Sequence, residues 1–239
     1  MARVHTIGIS GPSCSGKTTI TRILQKILKR SVVIYQDDFF KPDSQIPIDE
    51  ETQLANWDCP DALNFQALAD TIQYARQHEG QLPPGYKSNE VNNTHDGSNL
   101  LPKDALNRLL RQLDVEQDDI FIIVDGFMLY WDADVTSVLD CRIFMTASYE
   151  TLKNRREGRK GYATIEGYWE DPPGFFDKIV WPQFVKWNKH LFAGQDHSEI
   201  DHKAVDNVLS VNTDEISIED MAVKVIQKLH ETMEHNKSK

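Results

Sequence analysis

Gly11-Pro12-Ser13-Cys14-Ser15-Gly16-Lys17-Thr18 carries glycine, glycine-lysine and threonine at the GxxxxGK[ST] spacing. Glycines at those positions let the backbone turn successive N–H groups into one concavity, which suits a polyphosphate. A helix starting at Lys17 would add the positive end of its dipole. Lys17 would reach the β- and γ-phosphates, and the Thr18 hydroxyl would ligate Mg²⁺. A glycine-rich turn can match these letters by chance in on the order of one chain in a hundred. Position between a strand and a helix is what separates a phosphate cradle from an accident. The candidate nucleotide contacts are Gly11, Ser13, Cys14, Ser15, Gly16, Lys17, Thr18 and Thr19.

Phosphoryl transfer to a hydroxyl also needs a group that takes the proton and one that helps to hold the metal. Asp37 and Asp38 follow one apolar run, and Asp125 follows another. In a parallel sheet, strand ends are where ligands collect. Aspartates after strands are usually solvated turn residues; convergence with the phosphate loop singles out Asp37 first and Asp125 second. Asp38 stays open between a structural hydrogen bond and catalysis. Arg155, Arg156 and Arg159 stand close to Gly158 and Gly161. Such a run is ordinarily a solvated helix face. Beside a triphosphate, arginines on a movable segment would neutralise the transferring phosphoryl and exclude water. Trp57-Asp58 precedes a helix, and Tyr162 follows the basic turn. Aromatics there are more often packing residues, yet two ring faces would suit a cationic pyridinium riboside. Asp58 and an arginine would then read the vicinal ribose hydroxyls. The histidines show no metal-ligand spacing, and Asp196–His202 reads as a polar connecting loop.

These groups need a scaffold that brings them together. Val4–Ser10 reads as a buried strand that runs into the glycine loop. Ile20, Ile23, Leu24, Ile27 and Leu28 then mark one face of a helix from Lys17, closed by Lys29 and Arg30. Strands are expected at Ser31–Gln36, Ile120–Val124, Cys141–Ala147 and Val205–Val211. Helices are expected from Phe65 with Asn64 as cap, at Lys103–Leu113, before the basic turn, and over Pro173–Phe192 with an interruption at Pro182. A last helix follows the Ser217–Asp220 capping pattern. Strands alternating with helices imply an α/β fold: a five-stranded parallel sheet with helices on both faces. The reading is one kinase domain over residues 1–239, with a lid at about 155–170 and a polar surface loop at about 80–100.

Composition narrows the possibilities. The formal net charge is −11, which disfavours a nucleic-acid partner bound through clustered Lys and Arg. Cys14, Cys59 and Cys141 form no close-spaced pair and fit a reducing, cytoplasmic setting. No stretch approaches the roughly 20 apolar residues of a membrane span. The expected partner is a small-molecule substrate, with no obligate protein partner implied.

Six stretches together resemble the nicotinamide riboside kinase family: GISGPSCSGKTT (Gly8–Thr19), QDDFFKP (Gln36–Pro42), NWDCPDAL (Asn56–Leu63), IIVDGFMLY (Ile122–Tyr130), RREGRKGY (Arg155–Tyr162) and DPPGFFDKIVWP (Asp171–Pro182). The first is generic to P-loop kinases and the third also looks like uridine kinases; QDDFFKP with DPPGFFD and VWP is far more specific. The resemblance implies a nucleoside-monophosphate-kinase-like P-loop fold that uses ATP and Mg²⁺. It implies Asp37 as general base and metal neighbour beside Thr18 and Asp125, with Lys17 and Arg155 completing the catalytic set. It implies Arg155 and Arg159 facing ATP, Asp58 and Arg156 on the ribose diol, and Trp57 and Tyr162 around the ring, with Phe39 beside the substrate. The family often has Tyr at the position of Trp57 and Glu at that of Asp125. A uridine/cytidine kinase on the same scaffold, and a non-catalytic nucleotide switch, are the competing readings.

Overall fold

The computed structural model describes residues 3–88, 100–113, 115–116, 118–159, 161–164, 167–194, 200–201, 203–214 and 216–237, with backbone only at 162–164 and 167–168. Its centre is a five-stranded sheet of β1 (Val4–Ser10), β2 (Ser31–Tyr35), β3 (Ile120–Asp125), β4 (Cys141–Thr146) and β7 (Val208–Asn212). The spatial order is β2-β3-β1-β4-β7, and every pairing is parallel. The chain passes from β1 out to β2, returns through β3, and continues on the other side through β4 and β7. All five C-terminal ends therefore share one edge of the sheet, the edge where α/β folds gather ligands.

Helices cover both faces. All six residues of β3 are buried, because successive side chains of a covered strand enter opposite layers. Phe121 and Ile123 join one layer with Ile20 and Leu24 of α1 (Lys17–Ile27), Leu109 of α3 (Lys103–Arg111) and Val225 of α7 (Ile218–Lys237). Ile122 and Val124 join the other with Leu68 and Ile72 of α2 (Phe65–Gln77), Val135 of α4 (Ala133–Ser137) and Phe184 of α6 (Trp181–Asn188). Each fully buried Ile, Leu or Phe contributes roughly 1.5–3 kcal/mol. A smaller cluster, Leu152, Phe175, Phe176, Ile179 and Val180, sits apart from both faces. It binds α5 (Tyr149–Glu157) to the segment that precedes α6.

The caps follow the sequence. Asn64 Oδ1 accepts the Ala67 N–H at 3.1 Å at the start of α2. Ser217 Oγ accepts the Asp220 N–H at 3.0 Å before α7. Some details differ from expectation. Helix α1 ends at Ile27, before Lys29 and Arg30. The last strand begins at Val208 rather than Val205. The break expected at Pro182 comes earlier, as a wide π turn over Phe176–Val180. Helical backbone continues from the π turn into α6, and Pro182, which has no N–H to give to the preceding turn, follows directly on the widened turn. The basic turn leads into an antiparallel hairpin that periodicity did not reveal: β5 (Tyr162–Thr164) and β6 (Gly167–Trp169). Three-residue strands are too short to show an alternation. Of the 80–100 loop, residues 89–99 lie outside the described residues, as does most of Asp196–His202.

At the end of β1, Gly11 has φ +135°, and a Cβ there would lie 2.1 Å from the Met145 carbonyl oxygen. Gly11→Ala is expected to destabilise by at least about 1–3 kcal/mol from backbone strain alone, a fall of several degrees in Tm read by calorimetry. An unchanged Tm would show that the strand end can relax.

Candidate active site

The glycine motif forms the turn between β1 and α1. Gly11 and Gly16 have φ of +135° and +100°, and Cys14 sits at +67°, so three of the turn's residues take left-handed backbone. The Ser15 N–H closes the turn on the Pro12 carbonyl at 3.2 Å. Helix α1 then begins at Lys17 with no side-chain cap and no acidic residue in its first turn. Its leading N–H groups are thus left for an anion. The Lys17 side chain folds back, and Nζ donates to the Pro12 carbonyl at 2.8 Å. Burial pushes the Lys17 ammonium below its ordinary range, opposed by the carboxylates of Asp125 and then Asp37. Ser15 Oγ is buried and finds no partner among the described residues. An orphaned hydroxyl, open helix N–H groups and an enclosed lysine in one cradle fit a polyphosphate. Thr18 and Thr19 occupy the first turn of α1, both half-buried.

The strand-end carboxylates separate in their roles. Asp125 ends β3 in register with Ile9 and Tyr35, is buried, and accepts the Thr21 Oγ1–H at 3.0 Å. Thr21 was not anticipated. It lies one helical turn beyond Lys17, so it faces the same side of α1. Asp37 and Asp38 fall in the short 3₁₀ turn Gln36–Phe39. Asp38 Oδ2 accepts the Tyr86 O–H at 2.6 Å, so its carboxylate ties down the 80–88 segment near its end. Phe39 packs on the α2 layer and against the Tyr86 ring, 6.1 Å between centroids. Asp37 is exposed and lies close enough to act on the charge of Lys17. Mg²⁺ takes few ligands from protein and the rest from phosphate and water. A threonine hydroxyl at the cradle and carboxylates on two neighbouring strand ends are a donor set of that kind.

The arginines are already engaged. Arg155 donates to the Cys14 carbonyl at 3.2 Å and to Thr213 at its Oγ1 (3.0 Å) and carbonyl (2.9 Å). It therefore joins the phosphate loop to the end of β7, and Thr213 is a partner that sequence spacing gave no means of finding. Arg156 makes a two-toothed pair with Asp171, at 2.6 and 3.0 Å, and donates to Ser13 Oγ at 2.9 Å. Arg159 is exposed, and its charge lowers the Lys17 pKa.

Trp57 lies among rings. Phe40 meets it edge-on at 5.3 Å, and Trp169 stands 6.1 Å away. Its Nε1–H is buried with no partner among the described residues. Burial pushes the neighbouring Asp58 carboxyl above its ordinary range; Arg156 opposes the rise, Asp171 adds to it, and Lys17 opposes it weakly. Asp58 therefore feels both the basic segment and the phosphate loop. Tyr162 is placed only by its backbone, on β5 opposite Trp169; its side chain lies outside the described residues.

The family model described as an AAA domain matches residues 7–167. The nicotinamide riboside kinase of Schizosaccharomyces pombe is 36% identical over 80% of this chain and 81% of its own length. The chain belongs to the nicotinamide riboside kinase family. Its relative in Saccharomyces cerevisiae is 32% identical over 81% of each chain. Nicotinamide riboside kinase 2 of Homo sapiens is 31% identical over 78% of this chain and 69% of that one. Membership makes the chain a phosphotransferase with a P-loop fold, and it accounts for the glycine turn, the strand-end aspartates and the basic segment occurring together.

The raised Asp58 pKa has a stability signature. Between the ordinary carboxylate range and its folded pKa, the folded state holds the extra proton, so stability falls as pH rises through that window. Asp58→Asn is expected to raise Tm near pH 7, with the gap over the parent closing as pH falls towards about 4. A variant that melts lower at neutral pH would show that the Arg156 attraction outweighs burial.

Proposed function

We propose that this chain transfers the γ-phosphate of ATP to the ribose 5′-hydroxyl of nicotinamide riboside, giving the mononucleotide used in NAD synthesis. Nicotinic acid riboside is the second substrate under this reading. The observation that carries it is the set of contacts at the phosphate loop, where Arg156 donates to Ser13 and Arg155 to Cys14 and the charges of Asp37 and Asp58 are both felt at or from Lys17, in a chain 36% identical to a nicotinamide riboside kinase.

The loop N–H groups of residues 13–19 and the ammonium of Lys17 hold the β- and γ-phosphates. Asp58 accepts the ribose diol, and Arg156 donates to it once released from Asp171. Trp57 lies against the pyridinium ring, whose positive charge a ring face attracts. Asp37 takes the proton from the 5′-hydroxyl as its oxygen bonds to the γ-phosphorus and the bond to the leaving ADP breaks. Arg155 and Arg159 offset the charge on the moving phosphoryl. Thr18, Asp37 and Asp125 would hold Mg²⁺, which would supply positive charge to offset the charge that develops on the phosphates. Residues 155–170 act as a lid on a single kinase unit. No described helix is long and apolar enough to cross a membrane, and three free cysteines accord with a cytoplasmic setting.

A uridine kinase would need directional partners for a pyrimidine's amide edge, whereas the groups around Trp57 are chiefly ring faces. ADP release with Mg²⁺-ATP should be faster with nicotinamide riboside than with uridine at equal concentration; the reverse order would overturn the substrate. Asp37→Ala should lower kcat by roughly 10²–10⁴-fold and leave ATP binding intact by calorimetry. Retained turnover would remove Asp37 as the base.

A further inference from the structure

The hairpin places a second tryptophan against the first. Trp169, the last residue of β6, has its ring 6.1 Å from that of Trp57 at a tilt of 59°. Behind it, the Phe175 ring sits 5.9 Å away. The Trp169 Nε1–H donates to Asp171 Oδ1 at 2.9 Å. That carboxylate is the one that holds Arg156 through two hydrogen bonds. Trp169 and Arg156 are therefore two arms of one unit centred on Asp171.

Next to it, two consecutive residues offer the same kinds of group. Trp57 offers a ring and Asp58 a carboxylate; across from them, Trp169 offers a ring and Arg156 a guanidinium. Ring meets ring at 6.1 Å, and the Arg156 charge acts on the Asp58 carboxylate. A riboside is likewise a ring joined to a diol. Centroids of touching aromatic rings sit roughly 4.5–7 Å apart, so the two indoles are in contact and leave no room for a third ring between them. A substrate ring entering there must part them, and the Asp171 unit then carries Arg156 along with Trp169.

The geometry points to Trp169 as a specificity-determining residue: the second aromatic wall for the substrate's cationic ring, with Asp171 as the positioning residue that couples this wall to Arg156. This rests on the riboside kinase reading above and moves the second wall from Tyr162 to Trp169, its cross-strand partner in backbone register. A cationic aromatic ring between two indoles gains from both faces.

The test is steady-state kinetics with Mg²⁺-ATP on the full chain and on Trp169→Leu, Trp169→Phe, Tyr162→Leu and Asp171→Asn. Leucine keeps apolar bulk against Phe175 and removes the π face, so folding is preserved and checked by Tm. Trp169→Leu should raise the KM for nicotinamide riboside about tenfold or more, with the KM for ATP changed less than about twofold. Trp169→Phe should recover most of the loss. Asp171→Asn should show the same riboside-selective rise. Wild-type kinetics in Trp169→Leu, an equal loss towards ATP and riboside, or a loss confined to Tyr162→Leu would each overturn the assignment. If the unmodified chain turns over uridine and not nicotinamide riboside, the substrate reading fails instead, and the two failures are distinct.

Discussion

At Gly11 the main chain leaving β1 comes so close to β4 that the Met145 carbonyl occupies the space of a side chain. Everything on the catalytic edge is referred to that contact. It fixes where the central strand stops, and the left-handed residues at 14 and 16 then turn the chain into α1 within a few positions. Because β1 has β3 on one side and β4 on the other, the cradle lies beside Asp125 and beside the element that leads to the arginines. Lys17 lies under the loop on the Pro12 carbonyl, and Thr21 on the same helix meets Asp125. One close backbone approach thus aligns a lysine and a threonine of one helix with an aspartate from a distant strand.

Much of this was legible in the sequence because the signals are local or periodic. The apolar run of β3 announces a strand covered on both faces, and the glycine spacing announces the cradle. Asn64 and Ser217 announce their helices through the hydrogen bonds they make. What stayed hidden depends on long-range pairing. Thr213 meets Arg155 across 58 positions, and no motif marks it. Asp171 lay inside a recognised stretch, but its grip on both Arg156 and Trp169 requires the hairpin to fold back, and three-residue strands leave no readable alternation. Pro182 announced an irregular helix, but the sequence did not show that the chain would stay helical through it by widening the turn before it.

Adjacent arginines with separate partners reflect helical geometry. Neighbouring positions on a helix point about 100° apart, so at the end of α5 Arg155 reaches Thr213 and the Cys14 carbonyl while Arg156 reaches Asp171 and the Ser13 hydroxyl. The cluster around Phe175 and Ile179, separate from both faces of the sheet, lets this end of the chain hold together on contacts of its own. Leu54, Trp57, Ala147 and Trp181 pack against this cluster, so apolar contacts as well as the arginine pairs join the segment to the rest of the fold.

The engaged state of these arginines also determines which anions the resting protein admits. Arg156 is already matched by a carboxylate and Arg155 by two carbonyls and a hydroxyl. An incoming anion must therefore exchange for an existing partner rather than fall onto a bare charge. Inorganic phosphate or sulfate offers one cluster of oxygens and must compete for each guanidinium singly. A ligand with several oxygens can replace several partners at once. In a protein of net charge −11, these two guanidinium groups thus meet surrounding anions with their hydrogen bonds already taken up by the chain's own oxygens.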